Sequence, residues 1–262
     1  MSRYDEFRAL HHRPGTPLVL PNAWDHASAA ALAEAGFAAI GTTSLGVASA
    51  AGKPDATGTA REETLHLGRG LARLPVPVTV DIEGGFSADP AEIAALAADL
   101  VRAGVAGVNI EDGRPDGTLA PLTHQREVIR AVKEAAPDLF VNARTDTHWL
   151  PGHADETAHR LSAYQEAGAD GLFVPGLHDE SVITALTAEY EAPLNILYAP
   201  GRLTVARLAA LGVARVSTGS LLFRAAVRHA VDVAGAVARG EADPAGVPAY
   251  AVADGWSAAY GR

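Results

Sequence analysis

A closed (β/α)8 barrel is the fold this sequence predicts: one α/β catalytic domain over 1–240, with a helical C-terminal extension over 241–262. Three observations predict it. Short runs rich in β-branched residues alternate with Ala/Leu-rich segments of helical period, the alternation occurs eight times, and 262 residues match the roughly 250-residue norm of that architecture. A doubly wound open sheet would show about five to seven strands and a glycine-rich phosphate turn, and this chain carries no such fingerprint.

The elements follow in order. A first strand over 18–23 leads to a helix over 25–35 opened by Asp25. The second strand, 38–43, ends in Gly41-Thr42-Thr43-Ser44-Leu45-Gly46, a small-residue turn, and its helix follows over 61–74. Strands over 76–82, 107–111 and 139–144 alternate with helices over 90–103, opened by Pro90, 124–135 and 154–167. Strands over 171–174, 194–198 and 215–218 complete the ring with helices over 179–190, 204–211 and 221–239. Gly36, Gly104, Gly168 and Gly212 stand where helix C-caps are expected. The tail, bearing Tyr250, Trp256 and Tyr260, is expected to pack on the barrel or on a neighbouring subunit.

Charge and composition narrow the function. Lys plus Arg number 21 against 31 Asp plus Glu, a net charge of −10, and no basic stripe interrupts that field; neither nucleic acid nor a membrane is an expected partner. There is no cysteine, which removes disulfides, thiolate metal ligands and any cysteine nucleophile or acid. The first seventeen residues lack the apolar core of a signal peptide and no run is long enough to span a bilayer, so the expected location is the cytoplasm.

In such a barrel chemistry sits at the carboxyl ends of the strands. The third strand ends in Asp81-Ile82-Glu83-Gly84-Gly85, the fourth in Glu111-Asp112-Gly113 and the fifth in Arg144-Thr145-Asp146. Asp81, Glu83 and Glu111 make a hard-oxygen set suited to Mg²⁺, or Mn²⁺, and Arg144 offers a planar fork for a substrate carboxylate. The backbone at Thr43, Ser44 and Leu45 is placed to meet an oxyanion, and Asp55 either faces the pocket or closes a turn. Paired rim acids also serve as caps or salt-bridge partners; Asp112 reads as a turn residue or a hydrogen-bond acceptor behind the site. His11, His12, His66, His153, His159 and His229 read as solvated, His26 as capping or packing or else as a site residue, and His148 and His178 as polar contacts.

An ordered series of motifs then resembles the isocitrate lyase/phosphoenolpyruvate mutase superfamily across 18–224. It runs Pro21-Asn22-Ala23-Trp24-Asp25, Thr43-Ser44-Leu45, Lys53-Pro54-Asp55, Asp81-Ile82-Glu83-Gly84-Gly85-Phe86, Asn109-Ile110-Glu111-Asp112 and Asn142-Ala143-Arg144-Thr145-Asp146, closing with Asn195 and Arg215-Val216-Ser217-Thr218-Gly219. The resemblance implies Mg²⁺ held by Asp81, Glu83 and Glu111 directly or through water, with the substrate on Thr43, Ser44, Leu45, Asp55, Arg144 and Asn195. It also implies a homo-oligomer, a dimer or a tetramer that exchanges the last helix.

Departures from the family pattern choose the reaction. Glu83 stands where an aspartate is usual, which suggests contact with the ion through water. The lyase branch's cysteine loop is replaced by residues 113–122, so cleavage with that acid is not expected. The mutase branch's loop asparagine is absent, while Thr118 matches the threonine of the phosphonopyruvate hydrolase branch. The expectation is therefore a Mg²⁺-dependent lyase or decarboxylase that breaks a C–C bond in a small 2-oxo or 2-hydroxy carboxylic acid. Glu111 and Arg144 stand at the reacting centre, loop 113–123 is the lid, and His124 or Tyr198 replaces the missing acid. The alternatives are P–C chemistry, either hydrolysis of phosphonopyruvate with Thr118 as nucleophile or a phosphoenolpyruvate mutase-type reaction, and a barrel that binds a metabolite without turnover.

Overall fold

Alternation along the strands builds two concentric layers. Val80, Val108, Ile110, Val141, Leu172, Ile196 and Val216 face outward and are buried in the main core. Thr79, Asn109, Asn142, Asn195 and Arg215 point inward; Asn142 Nδ2 donates to Asn109 Oδ1 at 2.9 Å and Arg215 Nη2 to the same oxygen at 3.1 Å. The chain is represented by a computed structural model that describes residues 1–241 and 246–261.

The described residues form the (β/α)8 barrel the sequence predicts. The N-terminal half comprises α1 (Arg3–Leu10), β1 (Leu18–Leu20), β2 (Asn22–Ala23), α2 (His26–Glu34), β3 (Ile40–Thr42), α3 (Ser44–Ala50), α4 (Arg61–Leu71), β4 (Val78–Asp81), α5 (Pro90–Arg102) and β5 (Gly107–Glu111). Then come α6 (Leu122–Ala135), β6 (Phe140–Arg144), α7 (Thr157–Glu166), β7 (Gly171–Phe173), α8 (Glu180–Glu189), β8 (Leu194–Leu197), α9 (Val205–Ala210), β9 (Arg215–Ser217), α10 (Leu221–Ala238) and α11 (Tyr250–Gly255). All strand pairs are parallel, in the order β1-β9-β8-β7-β6-β5-β4-β3-β2.

The strand expected over 18–23 is broken in two at Pro21, whose nitrogen carries no hydrogen for a ladder. Its first half pairs with β9 and its second with β3, so the broken strand is the seam that closes the ring. The Pro21 carbonyl still accepts from the Gly41 N–H at 2.9 Å.

Three features depart from expectation. α1 was not foreseen: its polar residues obscure a short apolar face, and Phe7 and Leu10 pack with Leu18, Leu20, Ala39, Ala106 and Phe140 to plug the amino end of the barrel. His11, expected in solvent, lies in that plug, stacked on Phe140 at 4.3 Å with Nδ1 2.8 Å from the Phe7 carbonyl oxygen. The turn after β3 continues as α3, which Thr43 precedes as N-cap residue.

Of the roles open to His26, packing is the one observed, its ring 5.0 Å from that of Tyr260 and away from the cavity at the strand ends, while Asp25 caps α2 by accepting from the Ser28 N–H at 2.7 Å. α10 buries no residue, and Val227, Val231 and Val237 are exposed on it. The tail returns to α2: Tyr260 donates to the His26 carbonyl at 2.6 Å and Trp256 to Glu34 at 3.0 Å. No described helix is long and apolar enough to cross a membrane.

Burial, with the nearby Arg215 acting in the same direction, holds the His11 pKa down to about 3 from 6.5. The unfolded chain takes up this proton near pH 6.5 and the folded chain does not, so acidification below 6.5 favours unfolding by about 1.4 kcal/mol per pH unit. In His11→Leu this slope should vanish, and the difference in urea midpoint between variant and parent should shift steadily from pH 7 to pH 5. A constant difference would contradict a neutral buried imidazole.

Candidate active site

Register assembles the site. Glu111 on β5 lies opposite Arg144 on β6, which lies opposite Phe173 on β7. Three inward side chains thus meet side by side at the carboxyl face: an acid, a guanidinium and an aromatic ring. Arg144 Nη1 is 2.6 Å from Glu111 Oε2, and its carbon centre stands 5.7 Å from the Phe173 ring centroid.

The other edge of the guanidinium is gripped by Asp146, which accepts from Nε at 2.6 Å and Nη2 at 3.1 Å. Gly113 makes room for this carboxylate: a Cβ there would stand 2.1 Å from Asp146 Oδ2. Asp112, fully buried, is the anchor behind it. Its carboxylate accepts from the Asp146 N–H at 2.8 Å, the Thr145 hydroxyl at 2.8 Å, the Tyr164 hydroxyl at 2.5 Å and Arg160 at 3.2 Å. Asp112 therefore takes the acceptor role behind the site, the second of its two expected readings. Burial works against the charged form of Arg144, but Glu111, Asp146 and Asp81 outweigh it and raise its pKa.

These groups line a cavity of about 200 Å³. Thr43, Ser44, Leu45, Asp55, Asp81, Glu111 and Arg144 all reach it. Burial raises the Asp81 pKa, against the pull of Arg144 and of the Glu83 and Ser44 N–H groups; Asp55 pushes it further up. Burial likewise raises Glu111, with Arg144 opposing and Asp81, Asp146 and Glu83 adding repulsion. Glu83 sits just behind the lining, raised by burial and by Asp81 and Asp55, while the Gly58 N–H it accepts at 2.8 Å pulls the other way.

The turn that carries Glu83 is strained: φ is +50° at Glu83 and +61° at Phe86, both left-handed. Between them Gly85, at φ +93°, has no room for a Cβ, which would stand 2.7 Å from Ile93. No three acids or imidazoles among the described residues converge to enclose an ion unaided. Two buried carboxylate oxygens, Glu83 Oε1 and Asp55 Oδ1, have no hydrogen-bond partner. The donor set fits a hard divalent cation that keeps waters and substrate oxygens in most of its shell.

Four expected residues lie away from the cavity. Asn195 shares the inward face of β8 with Leu197 but lies one layer deeper, fully buried, its Oδ1 accepting from Ser217 at 3.3 Å; Leu197 takes the lining position instead. Thr118 is exposed and donates to Asp116 Oδ1 at 2.7 Å, held on a loop folded back through the Gly113–Leu119 bridge. His124, in the first turn of α6, faces an adjoining groove shared with Glu111 and Arg114. Tyr198 packs against the core, and neither His148 nor His178 lines the cavity. Sequence reasoning missed Asp146 and the apolar wall formed by Trp149, Leu150, Phe173, Pro175 and Leu197; the Arg-Thr-Asp spacing, two residues apart on a strand end, was the available signal for Asp146.

The phosphoenolpyruvate phosphomutase family model matches residues 7–238. The chain belongs to this family. An uncharacterised protein of Mycobacterium tuberculosis is 46% identical over 244 residues, 92% of each chain. The 2-methylisocitrate lyase of Bacillus subtilis is 34% identical over 197 residues, 72% of this chain and 64% of that lyase. Among solved structures, phosphonopyruvate hydrolase in complex with oxalate and Mg²⁺ superposes with a TM-score of 0.86 over 98% of this chain and 95% of that one, at 24% identity, and so shares the fold. The family sits within the isocitrate lyase/phosphoenolpyruvate mutase superfamily, as the motifs implied.

Removing the buried anchor should loosen the whole rim. Asp112→Ala leaves Arg160 with Glu156 as its one remaining carboxylate partner and should cost about 3–5 kcal/mol, whereas Tyr164→Phe, which removes one of several donors, should cost about 1–2 kcal/mol. Urea denaturation measures both; equal losses would contradict the central position of Asp112.

Proposed function

We propose that this protein is a Mg²⁺-dependent lyase or decarboxylase that cleaves a C–C bond beside the carbonyl of a small 2-oxo or 2-hydroxy carboxylic acid. The observation that carries this reading is one cavity in which a doubly anchored guanidinium faces a group of buried acids whose pKa values are raised chiefly by burial, with repulsion between carboxylates adding to it. Relatives named as 2-methylisocitrate lyase and oxaloacetate decarboxylase support it.

Asp81 would hold the ion, with Glu83 and Glu111 contacting it directly or through water. Bound there, it would supply positive charge beside the oxygen that becomes anionic as the bond breaks. The chain's own residues do the rest. Arg144, fixed by Asp146 and Glu111, presents its free N–H groups to the substrate carboxylate. The backbone and side chains of Thr43, Ser44 and Leu45, with Asp55, bound the opposite side. Phe173, Leu197 and Pro175 keep water from the reacting carbon. When CO₂ leaves, no protein acid is required at the step itself and the new carbanion takes its proton from solvent. For a larger leaving fragment His124, on α6 in the groove it shares with Glu111, is the candidate acid. Self-association as a dimer or tetramer belongs to this reading, supported by the exposed apolar residues of α10.

Phosphonopyruvate cleavage with Thr118 as nucleophile is disfavoured by the bond that ties Thr118 to Asp116 outside the cavity. The purified protein, incubated with Mg²⁺ and oxaloacetate, alkylated malates or phosphonopyruvate, should release a C–C cleavage product that EDTA and Asp81→Ala both abolish. Arg144→Lys loses a charge-assisted fork of roughly 1.5–3 kcal/mol, which should raise KM about 10- to 100-fold. Phosphate released with pyruvate from phosphonopyruvate would overturn the carbon–carbon reading, and binding without product over hours would favour a non-catalytic barrel.

A further inference from the structure

Asn109 reaches the cavity from the layer beneath the acids, on β5 two residues below Glu111 and opposite Asp81 on β4. Its side-chain oxygen is doubly held: Asn142 Nδ2 donates to Oδ1 at 2.9 Å and Arg215 Nη2 donates to it at 3.1 Å. A guanidinium has only hydrogens to offer, so the amide cannot turn over without setting donor against donor. Nδ2 is therefore the end left free. It makes no hydrogen bond among the described residues, yet it is not one of the sealed polar atoms, and the cavity is the space it opens to. Asn22, the other amide at the cavity, is engaged at both ends: Nδ2 donates to the Thr42 carbonyl at 2.7 Å and Oδ1 accepts from the Gly219 N–H at 2.9 Å.

Charge decides what that free donor meets. Four carboxylates reach the cavity, from Asp55, Asp81, Glu111 and Asp146, against the guanidiniums of Arg144 and Arg114, and the charge of Arg144 is shared between Glu111 and Asp146. Behind Asn109 lies a third cation: Arg215 is fully buried, and among the described residues no carboxylate pairs with it. By gripping the amide at its oxygen, Arg215 strengthens the N–H groups at the other end. A metal ion is repelled from those N–H groups, and Asn109 has no oxygen left to give it. An anionic oxygen is attracted there by the amide and by the guanidinium behind it.

We infer that Asn109 is a substrate-binding residue whose Nδ2 donates, from the cavity floor, to an anionic oxygen of the bound 2-oxo or 2-hydroxy acid. This inference rests on the reading proposed above, which puts such an acid in the cavity.

Oxalate is the probe, by calorimetry on the full chain in MgCl₂ and in a crystal structure of the same complex. Nδ2 of Asn109 should lie within about 3.2 Å of an oxalate oxygen. Asn109→Asp keeps an acceptor for Arg215 and Asn142 but removes the donor. It should weaken oxalate binding about 10- to 100-fold, while the affinity for Mg²⁺ alone and the urea midpoint should not fall. Oxalate that binds beside Arg144 with no oxygen near Nδ2, or that binds Asn109→Asp as tightly as the parent, overturns the inference and leaves the proposed function standing. Equal losses of Mg²⁺ and oxalate affinity in Asn109→Asp also overturn it, because the residue then acts on the cation's site. Should the variant not fold, the distance in the parent complex decides. Failure of oxalate to bind the parent protein in Mg²⁺ overturns the proposed function and this inference with it.

Discussion

A buried guanidinium clamped between two carboxylates is the interaction on which the rest of the carboxyl face depends. Arg144 is charged in a place where charge is expensive, and it remains there because Glu111 and Asp146 grip it from two edges. Asp146 in turn is fixed by Asp112, itself buried and held by a tyrosine, a threonine and a second arginine. Each member is tolerable only because the next is present. Such a chain fixes an arginine side chain to within a narrow range of positions, which is what a site that must orient a small acid requires.

The same clamp leaves the acids around it in tension. Burial disfavours the charged forms of Asp81, Glu83 and Glu111, neighbouring carboxylates add repulsion, and the attraction of Arg144 for Asp81 and Glu111 does not bring either back to its ordinary value. A folded arrangement that holds like charges together is destabilised unless something positive relieves it, and two carboxylate oxygens without hydrogen-bond partners are consistent with a site shaped for a cation. The strained backbone at Glu83 belongs to the same pattern of local disadvantage at a working site.

Alternation gives the cavity its two characters. On β5 and β6 the inward positions read Asn109 and Glu111, then Asn142 and Arg144, and in-register pairing sets amide against amide below and acid against base above. On β7 and β8 the equivalent upper positions are Phe173 and Leu197. Two adjacent strand ends thereby present hydrocarbon beside strand ends that present charge, with no change in backbone architecture.

Much of this was legible in the chain itself. Eight alternations of β-branched and helical segments, glycines at the helix ends and a polar residue at each of three successive strand ends determine the barrel, its polarity and the identity of Asp81, Glu111 and Arg144 as neighbours, because period and strand order are local properties. What only the tertiary structure decided depends on distance across the fold. The plug formed by α1 and the burial of His11 follow from contacts with residues as distant as Phe140, and the pairing of β1 with β9 joins residues some two hundred positions apart. The retreat of Asn195 to a deeper layer, the distance of Thr118 from the cavity and the grip of Asp146 on Arg144 follow from stagger and loop path. A linear sequence specifies which face of a strand a side chain takes; it does not specify how deep in the barrel that side chain lies or which neighbour it meets there.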